Sequence, residues 1–371
     1  MRVLVIGGGM AGASIGFELA AEAEVVLLEQ EPQLAHHTTG RSAAMYLQSY
    51  GNRVVRALTA ASRADFDRLQ AEFETPPLLV PKPLLWTADA EALPHLESLL
   101  ATGSPLRRLG PEEAIRLCPV LRPERLAGAA QDLSAMEMDV LAIHGAYVAG
   151  LRRRGGSIRA PAKLASLSRD GAGWRAVVDG QAILADAVVN AAGAWVDVVA
   201  ALSGERPVGI RPLRRTIFVS PVRQPDPGSW PFIGDAGERF YFKGERDFVL
   251  VSPADEVPDE PRDARPLELD VAAAMEVVNE HTTLGLRSVR TAWAGLRSFV
   301  ADRSPVAGAR TGAEGFFWFA GQGGYGIQMA PALARSGASL LLRGGLPADV
   351  AALGVTPAEL SPDRLASLSG S

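Results

Sequence analysis

Residues 1–16 read MRVLVIGGGMAGASIG, an apolar strand that runs directly into a glycine-rich turn and the start of a helix. Within the turn, Gly7, Gly9 and Gly12 form the pattern Gly-x-Gly-x-x-Gly. Gly7 allows a sharp turn, Gly9 allows backbone N–H groups to approach a diphosphate, and Gly12 allows the helix to pack closely on the sheet. A helix N-terminus also carries partial positive charge. The stretch therefore predicts a dinucleotide-binding strand, turn and helix.

A second apolar stretch, residues 24–29 with the sequence EVVLLE, ends in Glu29. A carboxylate about twenty residues after the glycine pattern is placed to accept hydrogen bonds from ribose hydroxyls, and it would repel a 2′-phosphate. The competing interpretation is a glycine-rich turn in an ordinary α/β domain. The full order of strand, turn, helix, strand and glutamate favours the dinucleotide.

Length and charge restrict the function class. A chain of 371 residues with 47% hydrophobic residues predicts two intertwined domains with a large core. The net charge of −5 and the absence of a basic stripe disfavour nucleic acid as a partner. Cys118 is the only cysteine, which excludes an intrachain disulfide, a cysteine-based zinc cluster and an iron–sulfur site.

The start of the chain and its hydropathy predict a cytoplasmic protein. The first strand begins at residue 2, which leaves no room before it for a signal peptide. No uninterrupted apolar run reaches the length of about 18 residues that a membrane span needs. We therefore expect no membrane span, while peripheral attachment stays open.

Hydrophobic periodicity and turn residues predict the remaining elements. Helices are expected at residues 10–23, 57–73, 139–153 and 327–342. Strands are expected at residues 84–87, 157–160, 187–193, 214–219, 239–243, 248–252 and 315–321, with a hairpin around 170–173. Residues 321–326, GQGGYG, form a second glycine-rich turn before a helix, and a loose tail is expected after Ser361.

Five segments carry a family resemblance that covers nearly the whole chain. They are residues 7–16, 37–44 (HTTGRSAA), 190–195 (NAAGAW), 293–302 (WAGLRSFVAD) and 321–328 (GQGGYGIQ). In these segments the chain resembles FAD-dependent amine and amino-acid oxidoreductases of the D-amino-acid oxidase and glycine oxidase type, and within them D-arginine dehydrogenase most.

The resemblance implies an α/β fold with a Rossmann-like, glutathione-reductase-like FAD-binding domain. That domain would comprise residues 1–80, 139–210 and 290–371. It would be interleaved with a substrate domain, residues 81–138 and 211–289, built on a mainly antiparallel sheet with helices.

The resemblance also implies which residues hold FAD. The set is Gly7, Gly9, Met10, Ala11, Gly12, Glu29, Gln30, Thr39, Gly40, Arg41, Ser42, Ala43, Ala44, Lys163, Leu164, Ala191, Ala192, Gly193, Trp195, Gly323, Gly324, Tyr325, Gly326, Ile327 and Gln328. In addition, the helix expected after Gly326 would place its positive end near the flavin N1/O2 edge.

The sequence favours non-covalent FAD and predicts no metal site. Cys118 lies outside every flavin motif, whereas a histidyl link stays open. His36 and His37 are adjacent, so their side chains are expected to point apart, and no carboxylate or cysteine is spaced to complete a metal site.

An arginine is the natural anchor for an amino-acid carboxylate, because its planar guanidinium donates two parallel hydrogen bonds. By resemblance, Arg297 and Arg214 bind the substrate carboxylate, Tyr241 adds its hydroxyl and Tyr50 lines the pocket. Adjacent strand positions face opposite ways, so only one of Arg214 and Arg215 can face the pocket. The resemblance favours Arg214.

Two departures from D-arginine dehydrogenase bear on the substrate. Leu84 stands where that enzyme has a glutamate that meets the substrate guanidinium, and Met45 stands where it has a histidine. A buried cation without a counter-charge costs several kcal/mol. With Gly324 and Gln328 completing the pocket, these residues predict a neutral, largely apolar substrate side chain, unless Leu84 and Met45 are merely repacked wall residues.

The sequence therefore predicts an enzyme that oxidises the Cα–N bond of a D-amino acid by hydride transfer to flavin N5. The resulting imine hydrolyses to a 2-oxo acid and ammonia, and oxygen or a quinone accepts the electrons. Alternatives are oxidation of a 2-hydroxy acid or of a secondary amine such as glycine-like or sarcosine-like substrates. A non-catalytic dinucleotide-binding protein would be favoured if Arg214 and Arg297 faced solvent or paired with internal acids.

Overall fold

Two large β-sheets organise the chain, which the computed structural model describes over residues 1–368. The strands are β1 Arg2–Ile6, β2 Glu24–Leu28, β3 Met45–Tyr46, β4 Leu79–Pro81, β5 Leu84–Ala88, β6 Leu106–Leu109, β7 Gly128–Asp132, β8 Met136–Met138, β9 Ser157–Arg159, β10 Leu164–Asp170, β11 Gly173–Val178, β12 Gln181–Ala185, β13 Ala187–Asn190, β14 Arg211–Pro221, β15 Phe232–Asp235, β16 Tyr241–Gly244, β17 Phe248–Ser252, β18 Val257–Pro258, β19 Thr291–Phe299, β20 Val306–Ala309 and β21 Phe316–Ala320. The helices are α1 Met10–Leu19, α2 Arg53–Phe73, α3 Leu93–Leu100, α4 Pro111–Leu117, α5 Val140–Arg153, α6 Val196–Ser203, α7 Glu268–His281, α8 Ala330–Arg343, α9 Ala348–Ala352 and α10 Pro357–Leu360.

The first sheet has six strands in the spatial order β20, β21, β13, β1, β2, β9. All neighbours pair in parallel except β20, which runs antiparallel to β21. Parallel strands are buried on both faces, and β1 follows that rule. Val3 and Val5 pack with the cluster that includes residues of α1, α5 and α8, whereas Leu4 and Ile6 pack into the cluster on the opposite face.

The glycine turn between β1 and α1 has the predicted form. Gly7 has φ +110°, and a Cβ there would lie 2.5 Å from the carbonyl oxygen of Ala191. A Cβ at Gly12 would lie 1.8 Å from the carbonyl oxygen of Gly7. Helix α1 can therefore begin directly against the turn only because both positions lack a side chain.

The second sheet has nine strands, in the order β18, β14, β17, β16, β15, β5, β7, β6, with β19 paired to β14. Its pairs are antiparallel except for β15 with β5. Leu85 faces a core that includes residues of α4 and α7, and its neighbours Leu84 and Trp86 face a separate cluster that includes Tyr241. The predicted fold class, a Rossmann-like unit with a mainly antiparallel second sheet, is confirmed.

Strand β19 shows how closely the two parts of the chain are joined. The predicted boundary places residues 290–371 in the FAD-binding domain, whereas Thr291–Phe299 pairs with β14 over nine positions, from Arg211 with Phe299 to Val219 with Thr291. The chain returns to the six-stranded sheet only at β20. β19 therefore carries residues of one predicted domain into the sheet of the other.

Helix α8 begins at Ala330 rather than at the predicted residue 327, because a turn extends to Met329 and Pro331 occupies the first turn of the helix. Helix α2 begins at Arg53, four residues before the predicted start, because the Asn52 side chain accepts a hydrogen bond from the Val55 N–H and caps it.

The predicted loose tail after Ser361 is only partly described. Pro362–Leu368 forms a 3₁₀ helix instead of a loose segment, and residues 369–371 lie outside the described part of the chain. Within residues 1–368, no helix is both long enough and apolar enough to cross a membrane.

Candidate active site

A cavity of about 820 Å³ opens at the carboxyl ends of β1, β13 and β21. Part of its wall is formed by the residue that directly follows each of these strands, namely Gly7, Ala191 and Gly321. The opposite wall comes from β14 and β19 of the nine-stranded sheet. Ligands of open α/β sheets bind at this end of the strands, and the volume lies within the range of roughly 300–1,000 Å³ typical of ligand pockets.

Glu29 lies at one end of the cavity and is 9% exposed. One carboxylate oxygen accepts the Gly8 N–H at 2.7 Å, and the other accepts the Glu31 N–H at 2.9 Å. A carboxylate oxygen can accept more than one hydrogen bond, so both retain capacity for a ribose hydroxyl. Next to it, Gly9 lacks the side chain that would project from the turn, and only Thr39 Oγ1, at 3.2 Å, would meet a Cβ there.

The cavity brings together most of the residues predicted to hold FAD. Those that line it are Gly7, Gly9, Met10, Ala11, Glu29, Gln30, Thr39, Arg41, Ser42, Ala43, Lys163, Leu164, Ala191, Ala192, Gly193, Trp195, Gly323, Gly324, Gly326 and Ile327. Segments far apart in the chain thus form one elongated wall.

Five residues of the predicted set lie elsewhere. Gly12 contacts the Gly7 carbonyl behind the cavity, and Gly40 and Ala44 line a smaller cavity of about 450 Å³. Tyr325 packs against Tyr50 and Phe299. None of these five residues lines the large cavity.

Gln328, predicted for both FAD and the substrate pocket, is committed to the protein itself. Its amide accepts the Leu47 N–H and donates to the Leu47 carbonyl, both at 3.2 Å, and donates to Thr59 Oγ1 at 2.9 Å. The side chain is 3% exposed. The sequence motif shows that Gln328 follows the glycine turn, but not that its side chain turns toward Leu47 and toward Thr59 of α2.

The pairing of β14 with β19 decides which arginine faces the cavity. Arg297 lies opposite Leu213, and Arg215 lies opposite Gly295. Directly paired residues share a face and side chains alternate along a strand, so Arg215 and Arg297 face the same side. Both line the cavity, and Arg214 does not.

Arg214 instead faces the other side of β14, where its guanidinium donates to Asp270 on α7 at 2.6 Å. The predicted choice of Arg214 over Arg215 is therefore corrected. Arg215 donates to the Asp255 carbonyl at 2.7 Å and to Glu256 at 3.2 Å, and Glu256 is also bonded to Arg303.

Arg297 is buried at the cavity wall, and its Nη1 has no hydrogen-bond partner within the described chain. No carboxylate of residues 1–368 lies within 4.0 Å of its guanidinium nitrogens, although Glu256 is close enough to have its own pKa lowered in part by Arg297. Burial acts to lower the pKa of Arg297, but Tyr50, Tyr241 and Tyr325 act together to raise it above its usual value. Arg297 is therefore a buried cation with unused donor capacity.

Tyr241 lies near Arg297, and its buried hydroxyl also has no partner among the described residues. Tyr50 also lies near Arg297, and its ring centroid is 6.5 Å from that of Trp86. Gly324 lies against the guanidinium itself, since a Cβ there would be 2.8 Å from Arg297 Cζ. The structure thus gathers the predicted Arg297, Tyr241, Tyr50 and Gly324 at one place.

An apolar cluster adjoins these groups. Leu84 is fully buried and packs in the same cluster as Trp86 and Tyr241, with Met45 and Tyr50 against its edge. Leu84 and Met45 do not line the large cavity in its present shape. Tyr241 and Tyr50 do not line that cavity either, and both pack with Leu84 and Met45 in this apolar cluster.

The acid opposite Met45 in the strand pairing is Glu137. It forms an ion pair with Lys243, which also pairs with Glu245 at 2.8 Å. Burial opposes the charge of Lys243, but hydrogen bonds to these two carboxylates raise its pKa. Glu137 is therefore already neutralised by the protein.

The surroundings of His36 and His37 differ from the prediction that no carboxylate is placed beside them. His37 contacts Glu31 at 3.0 Å, and its ring packs at a tilt against Trp195 with 4.7 Å between the ring centroids. The possible metal-ligand atoms of Glu31, His36 and His37 lie within 4.8 Å of one another. A carboxylate is therefore beside the pair, because the turn at residues 30–37 folds back on itself. His37 lies in the wall of the cavity.

Sequence reasoning missed three features in or beside this wall. Gly8 is the unremarked middle glycine of Gly7-Gly8-Gly9, yet a Cβ there would lie 2.5 Å from the Leu34 side chain. Ser298 lines the cavity with a buried, unpartnered hydroxyl. Glu260 and Pro261 line it from a loop that Arg41 holds through the Ala264 carbonyl at 3.0 Å. The triple glycine was a usable signal for Gly8, and the segment 293–302 was a usable signal for Ser298. No local signal marks Glu260 and Pro261.

The residues present fit FAD. The glycine turn and the start of α1 would hold the diphosphate, Glu29 the ribose, and residues 41–43 and 321–327 the flavin. The predicted dipole contribution of α8 is not supported, because α8 begins at Ala330, beyond the residues that line the cavity.

Comparisons with known proteins agree with this geometry. The family model described as "DAO: FAD dependent oxidoreductase" matches residues 2–340. The bovine (Bos taurus) "FAD-dependent oxidoreductase domain-containing protein 1" is 27% identical over 173 residues, which span 42% of this chain but only 36% of that protein.

Two solved structures have the same fold. L-proline dehydrogenase from P. horikoshii superposes with a TM-score of 0.84 at 20% identity, covering 99% of this chain and 98% of the other. Glycine oxidase from Geobacillus kaustophilus superposes with a TM-score of 0.81 at 21% identity, covering 92% of this chain and 95% of the other.

Proposed function

Because the chain belongs to the DAO family of FAD-dependent oxidoreductases and has FAD as its cofactor, we propose that it oxidises the Cα–N bond of a D-amino acid. The preferred side chain is neutral and largely apolar. The products are a 2-oxo acid and ammonia.

The observation that carries this proposal is the unsatisfied pair of Arg297 and Tyr241. Arg297 Nη1 and the Tyr241 hydroxyl are both buried and both lack a partner within residues 1–368. Leaving a buried donor unpaired costs about 1–3 kcal/mol, and more for a charged group. A substrate carboxylate supplies both the missing acceptor atoms and the missing counter-charge.

Each neighbouring residue then has a defined task. Arg297 grips the carboxylate through two parallel N–H donors, and Tyr241 adds a third hydrogen bond. Tyr50 and Gly324 keep the guanidinium in place. Arg215, on the same face of the sheet, contributes positive charge that Glu256 partly offsets. The fixed carboxylate in turn fixes the direction of the Cα–H bond.

FAD bound in this cavity would supply the acceptor for a hydride from the substrate. The substrate loses this hydride from Cα and a proton from its amine, which together leave a C=N double bond. Water then adds to the imine carbon, and the C–N bond breaks to give the 2-oxo acid and ammonia. Molecular oxygen or a quinone is the proposed final electron acceptor.

The side-chain preference rests on the cluster of Leu84, Trp86 and Met45. A cationic side chain would lose its hydration there without meeting a free carboxylate, since Glu137 is bound to Lys243. The D-configuration rests on the resemblance alone, and the similarity in fold to a proline dehydrogenase keeps a secondary amine as the second candidate.

The test is an anaerobic titration of the FAD-loaded protein, followed at the flavin absorbance band near about 450 nm. The panel contains D- and L-forms of leucine, methionine, phenylalanine, valine, proline and arginine, together with sarcosine and 2-hydroxy acids. We expect bleaching by neutral D-amino acids and little by either form of arginine. Bleaching only by 2-hydroxy acids, or by nothing in the panel, contradicts the proposal.

Two other results would revise its finer parts. Bleaching mainly by proline or sarcosine would move the assignment to secondary amines. Bleaching mainly by arginine would show that Glu137 leaves Lys243 for the substrate, in which case the variant Glu137→Gln would lose arginine oxidation but keep oxidation of leucine.

A further inference from the structure

A histidine far from every binding motif holds the centre of the glycine turn. His144 on α5 places Nε2 2.9 Å from the carbonyl oxygen of Gly8, although the two residues are 136 positions apart. The side chain is 6% exposed. Within α5 it lies one turn after the start, where the Asp139 side chain caps the helix through the Ala142 N–H. The position of His144 is therefore set by a capped helix.

The carbonyl and the N–H of Gly8 are both held. The carbonyl also accepts the Ala35 N–H at 3.2 Å, and the Gly8 N–H donates to Glu29 at 2.7 Å. A carbonyl oxygen can only accept, so Nε2 of His144 carries the proton of this hydrogen bond. Burial lowers the pKa of His144 and so favours the neutral ring.

The geometry of the peptide bond connects this contact to the cofactor. In a planar trans peptide the C=O of one residue and the N–H of the next point in opposite directions. Holding the Gly8 carbonyl toward His144 therefore turns the Gly9 N–H away from His144. Gly9 lines the large cavity, whereas His144 does not.

We propose that His144 is a positioning residue for FAD, which orients the Gly8–Gly9 peptide so that the Gly9 N–H faces the diphosphate. Without it, only the weaker contact from the Ala35 N–H would hold this carbonyl, and the glycines on both sides of the peptide would give its plane more freedom to rotate. The histidine thus removes a conformational freedom that the diphosphate would otherwise have to restrict on binding. The inference depends on the cofactor and not on the proposed substrate.

The test measures the dissociation constant of FAD for the apoprotein by quenching of flavin fluorescence. His144→Leu keeps the volume but loses the donor, and His144→Gln keeps a donor near the position of Nε2. A single neutral hydrogen bond contributes roughly 0.5–1.5 kcal/mol, so we expect His144→Leu to raise the dissociation constant about 3- to 10-fold. His144→Gln should stay within about 2-fold of the original protein.

Tyr147→Phe is the matched control, since Tyr147 is buried on the same helix and packs on Phe17 rather than on the turn. It should leave the dissociation constant unchanged. The melting temperature of each apoprotein separates a general loss of stability from a loss of FAD affinity.

If His144→Leu does not fold, His144→Asn replaces it, because the shorter amide cannot reach the Gly8 carbonyl. A full FAD affinity in His144→Leu or His144→Asn overturns the proposal. An equal loss in His144→Gln and Tyr147→Phe overturns it as well, because the effect would then belong to α5 packing.

Discussion

At the scale of single residues, the position of one guanidinium relative to a strand decides the chemistry of the site. Arg214 and Arg215 are neighbours in sequence, but one binds Asp270 behind the sheet and the other lines the cavity. Arg297 differs from both, because it is buried without a carboxylate partner in the described chain. Pairing of both Arg214 and Arg297 with internal acids would have favoured a non-catalytic protein. Arg214 pairs with such an acid, whereas within residues 1–368 Arg297 does not.

Replacing Arg297 tests its role as the carboxylate anchor. Arg297→Met keeps much of the side-chain volume and removes the charge. Charged hydrogen bonds contribute roughly 1.5–3 kcal/mol, so we expect kcat/KM for the best amino acid to fall at least about 10- to 150-fold. Steady-state kinetics with the FAD-loaded variant measure this.

Arg214→Met is the matched control for that experiment. It breaks a buried ion pair with Asp270, which should lower the melting temperature while leaving KM within about 3-fold. The anchor assignment fails if Arg297→Met oxidises the substrate normally, or if Arg214→Met raises KM as much.

At the scale of elements, the join between β1 and α1 depends on a missing side chain. A Cβ at Gly12 would lie 1.8 Å from the Gly7 carbonyl oxygen, and a backbone atom cannot rotate away. The turn and the helix would have to separate. The same turn carries the Gly8 peptide that Glu29 and His144 hold.

The variant Gly12→Ala should therefore lose both stability and FAD. Overpacking typically costs about 1–3 kcal/mol, and we expect this variant to lie at or above the upper end of that range. The measurements are the free energy of unfolding and the FAD content after purification. Gly12→Ala with full stability and full FAD content would contradict the close-packing argument.

Gly145→Ala on α5 is the control for this change. A Cβ at Gly145 would meet no atom within 4 Å. Alanine is favoured over glycine inside a helix by roughly 0.5–1 kcal/mol, so this variant should be as stable as the original or slightly more stable.

At the scale of the whole molecule, the cavity joins the two sheets. The six-stranded sheet contributes the glycine turn and Glu29, and the nine-stranded sheet contributes Arg215 and Arg297. The loop with Glu260 and Pro261 closes one side, held to the turn after β2 by the ion pair of Arg41 with Asp263 at 2.5 Å. FAD binding should therefore stabilise both sheets at once.

Labelling of Cys118 can measure this coupling. Cys118 is fully buried in the core beneath the nine-stranded sheet, and burial raises the pKa of its thiol to about 12. At pH 8 the folded thiol is protonated and shielded, so a thiol reagent should react only after opening. A ligand at 100 times its dissociation constant stabilises by about 2.7 kcal/mol, which predicts labelling about 100-fold slower with FAD.

The comparison is between apoprotein and FAD-loaded protein under the same conditions. Equal labelling rates would show that the region around Cys118 opens without disturbing the FAD cavity. A large protection by FAD would show that the two sheets unfold as one unit.

Sequence alone determined the features that depend on local backbone chemistry. The glycines at positions 7, 9 and 12, the apolar β1 and β2, and Glu29 specify a dinucleotide site, because each requirement is met within thirty residues. The second glycine-rich turn at residues 321–326 extended this to FAD, and the Arg297 motif predicts a carboxylate anchor.

The tertiary structure decided everything that depends on register and on distant partners. Alternation allowed either Arg214 or Arg215 to face the cavity, and only the pairing of Arg215 with Gly295 selected Arg215. Gln328 was turned away by contacts with Leu47 and Thr59, and Gly8 was fixed by His144. These contacts join residues more than 70 positions apart, and no local pattern in a single sequence encodes such pairings.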